Sequence, residues 1–134
     1  MPYELIWEDK GVCRRYFGHT DSVELARSVL EVEHDARFDQ LRYVLNDMLA
    51  SEGVSITEDA LAEISAVDGA AELSNPNIRI ALVADKPALR TVGEAYIAAG
   101  LNSYPTRMFF TLKDARAWLA EELELKPRPR QNAR

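Results

Sequence analysis

One short segment, residues 78–84, constrains the fold more than any other part of this sequence. Six of its seven residues are apolar, and only Arg79 interrupts them. Such a run is typical of a parallel strand that is covered on both faces, because neither of its sides is turned to water. Parallel strands need long crossover connections, which are usually helices. The segment therefore predicts an α/β protein with helices on both faces of the sheet.

The rest of the chain supplies the other strands and helices of such a sheet. Asp21 and Glu24 form a capping-box pattern ahead of a first helix, and Thr57 is a suitable N-cap for a second. Asp85 and Thr111 are the caps that we predict for the third and fourth helices. These helices are predicted to end near residues 33, 74, 99 and 123. The predicted strands are residues 3–8, 12–18, 41–46, 78–84 and 106–110.

These elements follow one another in the order ββαβαβαβα. The first two strands form an antiparallel hairpin, since Gly11 can take the positive φ of a short loop, and the other pairings are parallel. We therefore predict a single-domain α/β sandwich over residues 1–125, with a mixed, mostly parallel five-stranded sheet and four helices. Residues 47–56 are expected to form a polar loop. Residues 126–134, which contain two prolines, are expected to form a basic, disordered tail.

The distribution of charge argues against a nucleic-acid partner. The net charge is −6, but four of the basic residues follow the last acidic one, Glu124. The preceding part has 12 basic and 22 acidic residues, a net charge of −10 that repels phosphate groups and anionic lipid. No apolar run approaches the roughly 18 residues of a membrane helix, and the start of the chain lacks a signal-peptide pattern. We expect a cytoplasmic protein without membrane insertion.

The sequence contains no recognisable motif for an enzyme, cofactor or metal site. It has no glycine-rich phosphate-binding loop and no nucleophile elbow. The single cysteine, Cys13, falls within a predicted strand and is expected to be a buried small hydrophobe. Two distant histidines and one cysteine do not supply a zinc site. We therefore predict no catalytic activity, no cofactor and no metal.

Candidate binding residues follow the strands at one end of the predicted sheet. Ligands of open α/β sheets collect at the carboxyl ends of the strands, where His19, Asp47 and Asp85 fall. Together they would suit a cation or a phosphoryl group, although a loop residue, a turn residue and a helix cap would show the same pattern. Met48 and Leu49 would form a partner surface if they are exposed, and would cover the core if they are buried.

Three segments taken together resemble the bacterial SpoIIAA-like proteins of the STAS superfamily, which are related to anti-sigma-factor antagonists. The resemblance covers about residues 3–123 and is carried by the apolar strands and turns of residues 38–47, 74–83 and 104–119. It implies a STAS-type fold and a non-catalytic regulatory or interaction module, with a protein partner or a homodimer. The alternative is a carrier of a small apolar molecule or an acyl chain, which needs a pocket of roughly 300 Å³ between the sheet and its helices.

The chain departs from the better-understood STAS regulators at the start of the second helix. Those proteins carry a phosphorylatable serine in an Asp-Ser-Ser-Gly-like turn, whereas residues 47–59 are longer here and lack that motif. Ser55 or Thr57 would present a hydroxyl near a helix N-terminus, where a phosphate is favoured. Glu58 and Asp59 would oppose that phosphate. We therefore interpret Thr57 as an N-cap.

Overall fold

A five-stranded sheet runs through the middle of the computed structural model, which describes residues 3–100 and 104–125. Its first strand is antiparallel to the second, and the other neighbours are parallel. This arrangement confirms the predicted mixed sheet with an N-terminal hairpin. In spatial order the strands are β1 (Tyr3–Glu8), β2 (Gly11–Tyr16), β4 (Tyr43–Asp47), β6 (Arg79–Val83) and β7 (Thr106–Phe109).

Two further strands, β3 (Gly18–Asp21) and β5 (Ser51–Ser55), form a separate parallel pair. The prediction of a polar loop over residues 47–56 is therefore wrong. Both strands are short and polar, so they lack the alternation of apolar residues that reveals a half-buried strand. Gly18, the first residue of β3, has a left-handed φ of 58°, and β2 ends at Tyr16, shortly before the end that the sequence predicts for this strand at residue 18.

Four helices cover the two faces of the sheet, as predicted, and are α1 (Ser22–Glu33), α2 (Glu58–Ser74), α3 (Pro87–Ala99) and α4 (Leu112–Leu125). Successive strand residues point to opposite faces, so the sheet contributes to two cores. Leu45, Ala81 and Val83 pack with Trp118 and its neighbours of α4 on one face. On the other face, Val44 and Ile80 pack towards α1. β6 is thus buried on both sides, which confirms the interpretation of residues 78–84.

The predicted helix caps are present with one exception. Asp85 was expected to cap α3, but Lys86 holds the N-cap position and makes no capping hydrogen bond through its side chain. The helix begins at Pro87, whose fixed φ and missing N–H suit the first helical position, so the cap moves to the residue directly before it. The side chains that accept a backbone N–H three residues later are Asp21, Thr57 and Thr111.

The basic tail, residues 126–134, lies outside the described residues, so its predicted disorder and the boundary at residue 125 stay predictions. Within residues 3–100 and 104–125, no helix is long and apolar enough to span a bilayer.

Candidate functional site

The pairing of β3 with β5 brings two of the predicted site residues together. His19 Nε2 lies 2.7 Å from Ser55 Oγ, and both side chains are exposed. The histidine is therefore no isolated loop residue. This contact was not predictable from the sequence, because 36 positions separate the two residues and neither strand was predicted.

Asp47 is buried in the turn that follows β4. Its Oδ1 accepts the backbone N–H of Leu49 at 3.0 Å, and its Oδ2 lies 3.4 Å from Nε of Arg15. Both oxygens therefore have partners within the fold, and the carboxylate holds the turn. The sequence analysis considered two roles for Asp47, a turn residue and a ligand-binding residue, and these contacts are those of a turn residue.

Met48 and Leu49 lie on opposite faces of the sheet, and both are half-buried. Leu49 packs against the core beneath α4, whereas Met48 lines a cavity beneath the other three helices. The pair therefore covers the end of the core. A contribution of these two residues to partner binding stays a prediction.

The remaining predicted residues lie near the starts of α2 and α3. Asp85 is exposed, and its Oδ1 lies 3.9 Å from Nζ of Lys86, which also donates to the carbonyl of Leu49 at 3.2 Å. Thr57 Oγ1 accepts the N–H of Ala60 at 3.0 Å, which confirms its role as N-cap. In the described part of the chain, no group of three or more His, Cys, Asp or Glu is placed to hold a metal ion.

Sequence reasoning missed Phe110, which it placed at the end of a strand and in the core. Its side chain is 59% exposed, and the guanidinium of Arg90 lies 3.7 Å from the ring centroid. Arg90 is held in turn by the carbonyl of Ala84, to which its Nη1 donates at 2.8 Å. β7 ends at Phe109, which points into the core, so Phe110 lies beyond the covered strand, and no pattern in residues 106–110 marks that end.

A mostly apolar cavity of about 90 Å³ lies between the sheet and the helices α1, α2 and α3. Its apolar lining includes Val29, Ile64, Ile80, Leu89, Val92 and Met108. Its polar lining includes Arg14, Asn46, Asp68 and Tyr96. The volume is well below the roughly 300 Å³ expected for an acyl-chain carrier. As it stands, the cavity accommodates only a few non-hydrogen atoms.

A pair of carboxyl groups links two helices beside this cavity. Glu33 at the end of α1 is hydrogen-bonded to Asp68 of α2, and Asp68 also accepts a hydrogen bond from the hydroxyl of Tyr96 in α3. Burial, together with the bond to Asp68 and its negative charge, raises the pKa of Glu33 to about 8, while the charge of Arg14 lowers it. The folded state therefore stabilises the protonated form of Glu33.

We expect the free energy of unfolding to fall as the pH rises from about 5 to about 8, since folded Glu33 retains a proton that the unfolded chain has released. The variant Glu33→Gln, which keeps a donor towards Asp68, is expected to lose most of this dependence and to exceed the wild type in stability at pH 8. Urea unfolding across that pH range measures both effects. Glu63→Gln, at an exposed position of α2, is the control. If the free energies of unfolding of wild type and Glu33→Gln changed in parallel with pH, the raised pKa of Glu33 would be contradicted.

Cys13 is buried in the core beneath α4, as predicted. Burial is the main cause that raises the pKa of its thiol to about 11, and the charge of Asp47 adds to it. Little thiolate is therefore available near neutral pH, and the residue contributes to packing.

Comparison with known proteins identifies the fold. No protein-family model matches this chain, and no curated protein matches its sequence. Among solved structures, the anti-sigma factor antagonist SpoIIAA in its unphosphorylated form matches with a TM-score of 0.59 at 11% identity, over 89% of this chain and 97% of that one. This chain has the SpoIIAA fold.

A second SpoIIAA structure agrees with the first. The Bacillus cell fate determinant SpoIIAA in its phosphorylated form matches with a TM-score of 0.55 at 14% identity, over 87% of this chain and 98% of the other. The resemblance to STAS proteins predicted from the sequence is thus confirmed for the fold. At these identities the likeness to SpoIIAA assigns no role to individual residues.

Proposed function

We propose that this chain is a non-catalytic regulatory module that binds a protein partner in the cytoplasm. The observation that carries the proposal is the extent of the match to SpoIIAA, which is named as an anti-sigma factor antagonist and is covered over 97% of its length. One fold can support many functions, so the function also depends on which residues are exposed on its surface.

The partner surface that we propose lies at the carboxyl end of the sheet and consists of His19, Ser55, Asp85, Lys86 and Phe110. All five side chains are exposed. Phe110 is a large exposed aromatic group whose ring packs against the guanidinium of Arg90, and aromatic residues are enriched at the centres of protein interfaces. A second copy of the chain is one form that the partner can take.

The double variant Phe110→Ser/Lys86→Glu tests this surface. We expect it to weaken binding of the partner by at least about 10-fold, because it removes the aromatic anchor and reverses a charge. Partners are isolated by cross-linking and affinity purification from an extract of the source organism, and the dissociation constant is then measured with the purified partner. Native mass spectrometry of the chain alone reports self-association.

Lys10→Glu is the matched control, since it makes the same charge reversal at an exposed lysine in the β1–β2 turn, at the opposite end of the sheet. Circular dichroism verifies that all variants are folded. Equal binding by the double variant and by Lys10→Glu would reject the surface. A wild-type chain that stays monomeric and retains no protein would reject the proposed function.

A further inference from the structure

Arg14 is an unusual residue to find beneath three helices. Its side chain is 9% exposed, its Nε donates to Oδ1 of Asn46 at 2.8 Å, and its Nη1 donates to the carbonyl of Ser28 at 3.2 Å. Both acceptors are neutral, and Arg14 takes part in none of the ion pairs among the described residues. A buried charge normally has an anionic partner, because its transfer out of water is costly.

Two donor nitrogens on this side of the sheet lack an acceptor. Within the described ranges, neither Nη2 of Arg14 nor Nδ2 of Asn46 donates a hydrogen bond, and neither is among the fully buried atoms without a partner, so both nitrogens have accessible surface. The two residues are partners in the parallel register of β2 and β4, so their side chains lie next to each other on one face of the sheet. Both also line the 90 Å³ cavity. The donors are therefore available to an oxygen atom in that cavity.

The other charged group that lines the cavity is Asp68. Its carboxylate is already engaged by the hydroxyl of Tyr96 and by Glu33. Among the described residues, neither carboxyl group forms an ion pair with Arg14. The rest of the lining is almost entirely hydrocarbon and thioether, including the side chains of Met48 and Met108. The cavity thus combines one cationic, donor-rich wall with an apolar interior.

The volume limits what can occupy this space. A cavity of about 150 Å³ holds benzene, which has six non-hydrogen atoms, so about 90 Å³ corresponds to roughly three or four. A carboxylate supplies two oxygens that match the two donors, and Arg14 attracts its negative charge. Only one or two carbon atoms then remain within the permitted size.

We propose that this cavity is a binding site for a short-chain carboxylate of one or two carbons, held by Arg14 and Asn46. The anion would fill the space between the sheet and α2 and would accept hydrogen bonds from both side chains. The site is distinct from the proposed partner surface, so either can fail without the other.

Acetate is the probe, and the methyl groups of Met48 and Met108, labelled with ¹³C, are the reporters. We expect acetate to shift both signals saturably, with a dissociation constant on the order of 1 mM, as befits about four non-hydrogen atoms. Acetamide has the same shape without the charge and is expected to bind about 10-fold more weakly or not at all. Equal binding of the amide would overturn the assignment to a carboxylate.

Two variants test the location of the site. Arg14→Gln is expected to weaken acetate binding by at least about 10-fold, whereas Arg15→Gln, one residue along β2 and therefore on the opposite face of the sheet, is expected to leave it unchanged. Gly93→Ala reduces the cavity without touching Arg14. The new Cβ would lie 2.5 Å from Cε of Met108, and the flexible methionine must move into the cavity. This variant is expected to lose binding while remaining folded, since alanine is the better helix former.

The outcomes separate clearly. Binding that survives in both Arg14→Gln and Gly93→Ala would place acetate elsewhere and overturn the proposal. The absence of any saturable shift in the wild-type chain, at acetate concentrations far above the expected dissociation constant, would do the same. If Arg14→Gln fails to fold, Gly93→Ala and acetamide still decide the question.

Discussion

Replacing Gly11 with alanine is expected to lower the free energy of unfolding by about 3 kcal/mol, because the added methyl group has no room. Gly11 is paired with Tyr43 across β2 and β4, and the tyrosine ring lies directly over the glycine. A Cβ at this position would lie 2.0 Å from Cζ of Tyr43 and 2.3 Å from both Cε atoms. The ring would have to leave the core beneath α4, and its hydroxyl would lose the hydrogen bond that it donates to Glu8. Urea unfolding monitored by circular dichroism measures the loss.

Gly53→Ala is the matched control for this substitution. Its Cβ would meet only the movable ring of His19, at 3.2 Å from Nδ1, so we expect little change in stability. A double-mutant cycle with Tyr43→Leu then isolates the clash. The combined loss is expected to be clearly smaller than the sum of the single losses, because a shorter side chain makes room for the methyl group. Strict additivity would show that the clash is not the cause.

The second large effect is expected from Asn75→Ala, which should lower the free energy of unfolding by about 3 kcal/mol or more. Asn75 is 2% exposed, and its Nδ2 donates to the carbonyls of Phe38 and Leu41 at 2.7 and 2.9 Å. Its Oδ1 accepts the N–H of Asn77 at 3.0 Å. Alanine would leave two buried carbonyls without this donor and would open a small cavity. Each unsatisfied carbonyl costs about 1–3 kcal/mol.

Asn77→Ala is the control, since Asn77 is exposed and two positions away in the same turn. Chemical denaturation at one pH measures the free energy of unfolding of both variants and of the wild type. The explanation requires that Asn75→Ala lose several times more stability than Asn77→Ala. Similar losses would mean that the turn, and not the buried amide, determines stability here.

Local chemistry explains why much of the fold was predictable. The reciprocal bonds of Asp21 and Glu24 at 2.9 and 3.0 Å involve residues three positions apart, so the sequence contains the whole motif. The apolar run around β6 likewise shows that both faces of the strand are covered. The cap at Asp85 was predicted wrongly because the effect of Pro87 on the residue directly before it outweighed a favourable side chain one position further back.

The candidate site was less predictable because its contacts join distant parts of the chain. Asp47 and Thr57 are engaged within their own turn and helix start, and for these two the sequence already offered the structural alternative. The contact of His19 with Ser55 depends instead on a pair of polar strands that have no hydrophobic period. Exposure of Phe110 depends on where β7 ends against α4, which the pattern of residues 106–110 did not define.

The sequence by itself determined the α/β class, the five strands of the main sheet and the four α-helices, since these follow from periodicity and capping within short segments. The resemblance to SpoIIAA-like proteins predicted the fold. The tertiary structure alone decided that Arg14 and Asn46 face a cavity, and that Glu33 reaches Asp68. Both features arise between elements that are far apart in the chain. A gap between packed side chains has no sequence signature, because it depends on how a sheet and three helices fit together in space.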